Sequence, residues 1–191
     1  MRRILFISML LLFLCVSSFG MAFDNHRQGF IIGGLGGIAV VTWKDDGIYE
    51  TAYGTNIALH FDLRVGGGFK GDKFMLYFWN VCNWFSIENY YDPDDPDNPE
   101  DQLIINVIGG LGVSYYFKPT SPSLYINAGI GIAMWSAIQP GVGAMGGIGY
   151  EFTRHWSVEC GVMWGKTMNP TYVKDNGNSL AITLSIIGIA Y

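Results

Sequence analysis

The chain has 191 residues, half of them hydrophobic, with 11 basic against 16 acidic residues and a net charge of −5. That acidic balance argues against nucleic acid, or an anionic membrane surface, as partner. Mean hydropathy is positive at +0.25, yet the apolar residues are dispersed along the chain.

The first element is a leader. The chain opens MRRILFISMLLLFLCVSSFGMA, with Arg2 and Arg3 as a positive n-region, residues 4–16 as an apolar h-region and Gly20-Met21-Ala22 as a small-x-small cleavage site. This pattern predicts a secretory signal peptide over residues 1–22, cut after Ala22. A retained membrane helix wants roughly 20 apolar residues, more than this segment has. A lipoprotein modified at Cys15 wants a small residue where Leu14 stands, and a twin-arginine signal wants more around Arg2-Arg3. Residues 23–191 make one domain. Its two cysteines, Cys82 and Cys160, form no framework and no metal-binding spacing, and are expected as free, buried thiols.

Beyond the leader no apolar run is long enough for a membrane helix. Period-2 alternation recurs instead, which is the signal of strands. A Gly-rich first strand covers about residues 29–42. The second contains NIALHFDLRV, with Ile57, Leu59, Phe61, Leu63 and Val65 on one face and His60, Asp62 and Arg64 on the other. A third covers about 73–85. In the fourth, Leu103, Ile105, Val107, Leu111, Val113 and Tyr115 oppose Ile104, Asn106, Ile108, Ser114 and Tyr116. In the fifth, Leu124, Ile126, Ile130 and Ile132 oppose Tyr125, Asn127, Gly129 and Gly131. The sixth (142–152) sets Ile148, Tyr150 and Phe152 against Glu151 and glycines. The seventh (156–165) sets Trp156, Val158, Cys160, Val162 and Trp164 against Ser157, Glu159 and Met163. The eighth covers about 179–191. Cys82 and Cys160 then lie on the third and seventh strands.

Eight strands of this kind predict an all-β fold, an antiparallel up-and-down barrel with apolar side chains toward lipid and polar ones toward the lumen. The polar face is rich in Gly, Ala, Ser and Asn, which suits a narrow interior. Aromatic residues collect at strand ends as two interfacial girdles: Trp43, Trp84, Trp135 and Trp164 at one, Tyr115, Phe117, Tyr150, Phe152, Trp156 and Tyr191 at the other. Connections alternate between short (66–72, 118–123, 153–155) and long (44–52, 86–101, 166–178). Gln139-Pro140-Gly141 reads as a tight type II turn joining strands five and six.

With its leader, its first strand QGFIIGGLGG, the segment GIGYEFTRHWSVECGV and the aromatic Tyr191, the chain resembles the small eight-stranded outer-membrane barrels of the OmpA-transmembrane and OmpX-like group. The resemblance implies a Gram-negative outer membrane, periplasmic termini, lipopolysaccharide as neighbour, and Tyr191 as part of the signal read by the barrel-assembly machinery. With Tyr191 last, no peptidoglycan-binding domain is expected. The last strand departs from the pattern. Counting back from Tyr191 puts Ile189 and Ile187 toward lipid, whereas Leu180, Ile182, Leu184 and Ile186 have the other parity. A bulge near Ile186–Ile187 would reconcile them.

Three constellations carry candidate chemistry. The inward charges His60, Asp62, Arg64, Glu151 and Glu159 are expected to pair, with Arg64 meeting at least one glutamate, because unpaired buried charge is costly; a gated ion path is the alternative. His155-Trp156-Ser157 resembles the H-x-S of the lipid A 3-O-deacylase family, where His155 would be base, Ser157 nucleophile and Glu159 the orienting acid. His155 and Ser157 share a face of the strand, which would look into the barrel. The acidic run YYDPDDPDNPED holds Asp92, Asp94, Asp95, Asp97, Glu100 and Asp101. It fails as a calcium loop, since its sixth position counted from Asp92 is Asp97 and its fifth is Pro96. Prolines at 93, 96 and 99 instead suit a polyproline II rod, a stiff negative spike that could pool cations or meet a basic partner. No cofactor and no metal are expected. The reading is a non-enzymatic envelope protein acting through its surface loops; the alternatives are a lipid A hydrolase and a narrow channel for small solutes.

Overall fold

A computed structural model describes residues 27–46, 51–69, 71–92, 95–135, 139–167 and 176–191. The leader lies outside the described residues. Eight strands follow in order: β1 (Gly29–Asp46), β2 (Thr51–Gly68), β3 (Phe74–Asp92), β4 (Asp95–Tyr116), β5 (Ser123–Trp135), β6 (Gln139–Thr153), β7 (Trp156–Thr167) and β8 (Asn176–Ala190). Each pairs antiparallel with the next, and β8 pairs back onto β1 to close the barrel. Closure satisfies the backbone of every strand on both sides and abolishes sheet edges within the wall.

The alternation read from the sequence sets the two faces. Ile57, Leu59, Phe61 and Leu63 point outward while Ala58, His60, Asp62 and Arg64 are buried. The same pattern holds along β4, β5 and β7. The outer surface is a belt of exposed apolar side chains. β3 crosses it from Phe74 to Trp84, both exposed. Ten steps of about 3.3 Å, tilted by roughly 40°, give a belt about 25 Å tall.

The connections at one end are short: β3 follows β2, β5 follows β4 and β7 follows β6 within a few residues. The first of these turns uses left-handed backbone at Gly71 (φ 103°) and Asp72 (φ 56°). The other end differs from expectation, because strands extend into the segments read as loops. The acidic run is not a polyproline rod: Tyr90 pairs with Glu100 and Asp92 with Asp95 in a continuation of the β3–β4 hairpin. Ladder hydrogen bonds across a hairpin outcompete a conformation that has none of its own. The side chains of Asp92, Asp95, Asp97 and Glu100, and all of Asp94, lie outside the described residues; Asp101 is exposed. Gln139, Pro140 and Gly141 are strand residues paired with Trp135, Met134 and Ala133, so the connection is 136–138 and not a Pro-Gly turn. Pro140 stands one residue before the β6–β7 ladder, which among the described residues starts at Gly141, so its missing N–H interrupts no bond to β7 there.

Other expectations change side. β8 carries no bulge: its registers with β1 and β7 run unbroken, and Ile187, Ile189 and Tyr191 face the lumen. Tyr191 therefore does not present an outward aromatic. Trp43 and Trp135 are also buried inside the barrel, at 5% and 8% exposure, leaving Trp84 and Trp164 as the outward pair at that end. Cys82 and Cys160 are free but face outward, half-buried and exposed.

The lumen is not lined only by small residues. β3 sends in Met75, Tyr77, Trp79, Val81 and Phe85, all buried. The glycines opposite make room for them. A Cβ on Gly112 would lie 2.7 Å from Tyr77 Cε2 and 2.8 Å from Trp79 Cε3, and one on Gly129 would lie 3.0 Å from the same Trp79 atom. Large side chains from one strand thus fill the track that β4 and β5 leave bare, as close packing requires.

Candidate functional site

The inward charges gather toward the short-turn end as two linked clusters. In the first, Arg64 on β2 is 1% exposed. Its Nε and Nη2 donate to Asp62 (3.0 and 2.7 Å), and Nη2 also donates to both Glu159 oxygens (2.8 and 2.9 Å). Asp62 accepts a further bond from Trp79 Nε1 at 2.9 Å, and Glu159 one from Tyr125 Oη at 2.8 Å. The guanidinium lies over the Trp79 ring, 4.5 Å from its centroid. One cation holds two carboxylates and two aromatic donors add to them, so much of the desolvation cost is offset by hydrogen bonds, although Arg64 Nη1 is buried without a hydrogen-bond partner.

The second cluster is built on Arg27, just ahead of β1. Arg27 Nε and Nη2 donate to Glu151 at 3.0 and 2.8 Å. Its Nη1 donates to the Asp72 and Lys118 carbonyls at 2.9 and 3.0 Å. The guanidinium sits 4.0 Å over Tyr116. Ser121 also donates to Glu151, and Tyr191 Oη lies 3.5 Å from it. One side chain thereby ties the β2–β3 turn, the β4–β5 turn and the end of β6. Burial alone would lower the Arg27 pKa; the hydrogen bond and charge of Glu151 outweigh it and hold the value above the usual guanidinium range. Burial first, then the Glu151 charge, push the Tyr191 phenol well above its ordinary range.

Arg64 meets Glu159 but not Glu151, which belongs to Arg27. His60 is separate: its Nδ1 lies 2.8 Å from Asn83 Oδ1, and Asn83 in turn donates to Met163 Sδ. Alternation does not reveal Arg27, which precedes the first periodic segment, and it gives Tyr125 an inward side but no partner. The signal for Arg27 was its position: a basic residue immediately ahead of a strand whose barrel holds more inward acids than inward bases.

His155, Ser157 and Glu159 do not form a relay. His155 Nδ1 lies 2.9 Å from the Ile189 carbonyl, and its ring packs on Tyr191 with centroids 5.1 Å apart. The Ser157 hydroxyl is buried against Tyr125 Oη at 3.0 Å. Glu159 is occupied by Arg64 and Tyr125. Among the described residues, no three His, Cys, Asp or Glu side chains stand close enough to hold a metal ion.

The far end of the lumen closes differently. Trp135 packs against Trp43 (centroids 6.1 Å) and Phe85 (6.0 Å), and Ile104, the register partner of Phe85, is buried as well.

No protein-family model matches this chain, and no curated protein matches it. Solved structures with a similar course include the attachment invasion locus protein Ail of Yersinia pestis, 13% identical over 85% of this chain and 99% of that one (TM-score 0.49). Neisserial surface protein A is 14% identical over 84% and 96% (TM-score 0.49). OprG of Pseudomonas aeruginosa, an outer membrane protein, is 12% identical over 87% and 98% (TM-score 0.44).

Proposed function

We propose that this chain is an outer-membrane barrel of the envelope whose lumen is a structural plug and whose interactions are made at the end carrying the long strands. The carrying observation is the inversion of its two faces: Ile57, Leu103, Leu111, Ile130 and Ile182 are all more than half exposed, while Arg27, Arg64, Glu151 and Glu159 are all under 5% exposed. A soluble barrel buries the first set and wets the second. Lipid rewards the arrangement found here. In this reading the leader is removed after Ala22, both termini and the short turns face the periplasm, and the β3–β4 hairpin faces outward beside lipopolysaccharide.

The closed aromatic cluster at one end and the Arg27–Glu151 cluster at the other favour a plug over a solute channel. The bonds made by His155 and Ser157 favour a structural role for that segment over lipid A hydrolysis. An epitope inserted between Pro96 and Asp97 and probed on intact cells tests the orientation. Staining without permeabilisation is the expected result. Staining only after the outer membrane is opened overturns it.

A further inference from the structure

The net charge of −5 conceals a local asymmetry. At the short-turn end the described acidic side chains are turned away from the surface: Asp72 is 9% exposed and Glu151 3%. The described Lys and Arg side chains that reach the surface there are Lys73, Lys118 and Arg154, one on each short turn; Lys73 is half-buried and the other two are exposed. Glu151 is held by Arg27, and no described carboxylate pairs with Lys73 or Lys118.

Two of these turns are drawn together by Arg27. Its Nη1 donates to the carbonyls of both Asp72 and Lys118, so the residue before Lys73 and Lys118 itself share one nitrogen. The Tyr116 amide also donates to the Lys73 carbonyl, at 2.7 Å. On the outer face, next to the two lysines, aromatic rings form a strip. Phe69 packs on Phe74 (centroids 5.4 Å), Phe74 is the register partner of Tyr115, and Tyr115 meets Phe117 edge-on (5.6 Å). All four rings are between 41% and 52% exposed. Leu124, also exposed, continues the strip onto β5, its carbonyl accepting from the Phe117 amide at 3.0 Å.

We infer that the joined β2–β3 and β4–β5 turns are a binding site for one anionic glycerophospholipid, with its phosphate at Lys73 and Lys118 and an acyl chain along Phe74, Tyr115 and Phe117. Charge and continuity with the apolar belt select this occupant. A lysine stem lies along apolar surface while its ammonium reaches the headgroup layer, where it meets phosphate as a point charge. Each basic residue at an anionic membrane surface strengthens the attraction several-fold. A zwitterionic headgroup brings an ammonium of its own, and two lysines with no described carboxylate beside them disfavour it. Arg154 is the one described Lys or Arg of its turn and makes no such pair. The inference rests on the reading that the outer face meets lipid, and adds to it a choice of headgroup.

The test titrates the full chain, refolded in neutral detergent, with phosphatidylglycerol or with phosphatidylcholine, and counts bound lipid by native mass spectrometry. Phosphatidylglycerol binds at least tenfold more tightly. Lys73→Gln with Lys118→Gln removes the preference; Lys73→Arg with Lys118→Arg keeps it, and the mobility of each variant on unheated gels checks that it is folded. Arg154→Gln changes the preference less than threefold. Phe117→Ser weakens both lipids alike, and glycerol phosphate, a headgroup without chains, does not compete. Equal affinity for the two lipids, a preference that survives the double Gln change or is lost with Arg154→Gln, or competition by glycerol phosphate each overturns the proposal. If instead the outer face does not meet lipid, neither lipid binds and Phe117→Ser changes nothing. Micelles have no sides, so the epitope result on intact cells stands apart from both.

Discussion

The two ends of the lumen are closed by opposite means. At the short-turn end, two guanidinium groups and three carboxylates interlock with Tyr125, Tyr116 and Trp79. At the other end, Trp43, Phe85 and Trp135 pack ring against ring, with Trp43 Nε1 donating to Asn56 and no ion pair among the described residues there. The difference teaches what each filling demands of the sequence. A ring cluster tolerates the loss of one member as a cavity. In a buried ion cluster the loss of one charge costs according to how much opposite charge it leaves unpaired, because the remaining charges stay where they are.

That asymmetry can be broken by mutation, and unfolding in denaturant from lipid vesicles measures each case. Arg64→Met leaves Asp62 and Glu159 facing each other without a cation and costs about 4 kcal/mol. Combining it with Asp62→Asn and Glu159→Gln recovers most of the loss, which no cavity account would predict. Trp135→Ala at the opposite end costs about 3 kcal/mol, and no charge-neutralising second change rescues it. Arg27→Gln costs about 2 kcal/mol, less than Arg64, because Glu151 keeps Ser121 and Tyr191 as partners. Gly112→Ala costs about 1–2 kcal/mol by pushing on Tyr77 and Trp79; pairing it with Trp79→Leu lowers that increment if the crowding is the cause.

Much of this architecture was legible in the sequence. Period-2 alternation placed all eight strands and chose the inward side of β2, β4, β5 and β7, because a strand buried on one face cannot slip by one residue without inverting its whole pattern. The inward position of Asp62, Arg64, Glu151 and Glu159 followed from the same count. What failed had local reasons. β8 is apolar on both faces at its end, Ile186-Ile187 and Ile189, so parity there has no contrast to read, and the aromatic terminus does not reveal that it faces inward. Trp43 and Trp135 sit at strand ends like girdle residues, and only their neighbours across the lumen distinguish a plug from a girdle. The proline spacing in the acidic run is compatible with a polyproline helix, but pairing of the run's two halves with each other, in continuation of the β3–β4 ladder, decided its backbone. Arg27 belongs to no periodic segment, and its partners come from two distant turns and the end of β6.

The central claim is that the apolar face of this barrel meets lipid and the polar face does not. Tryptophan fluorescence in vesicles of brominated-chain lipid reads this directly, using variants that keep only Trp164, exposed on β7, or only Trp79, buried in the lumen. The account predicts strong quenching of Trp164 and little of Trp79. Equal quenching of the two, or quenching of Trp79 alone, would contradict it.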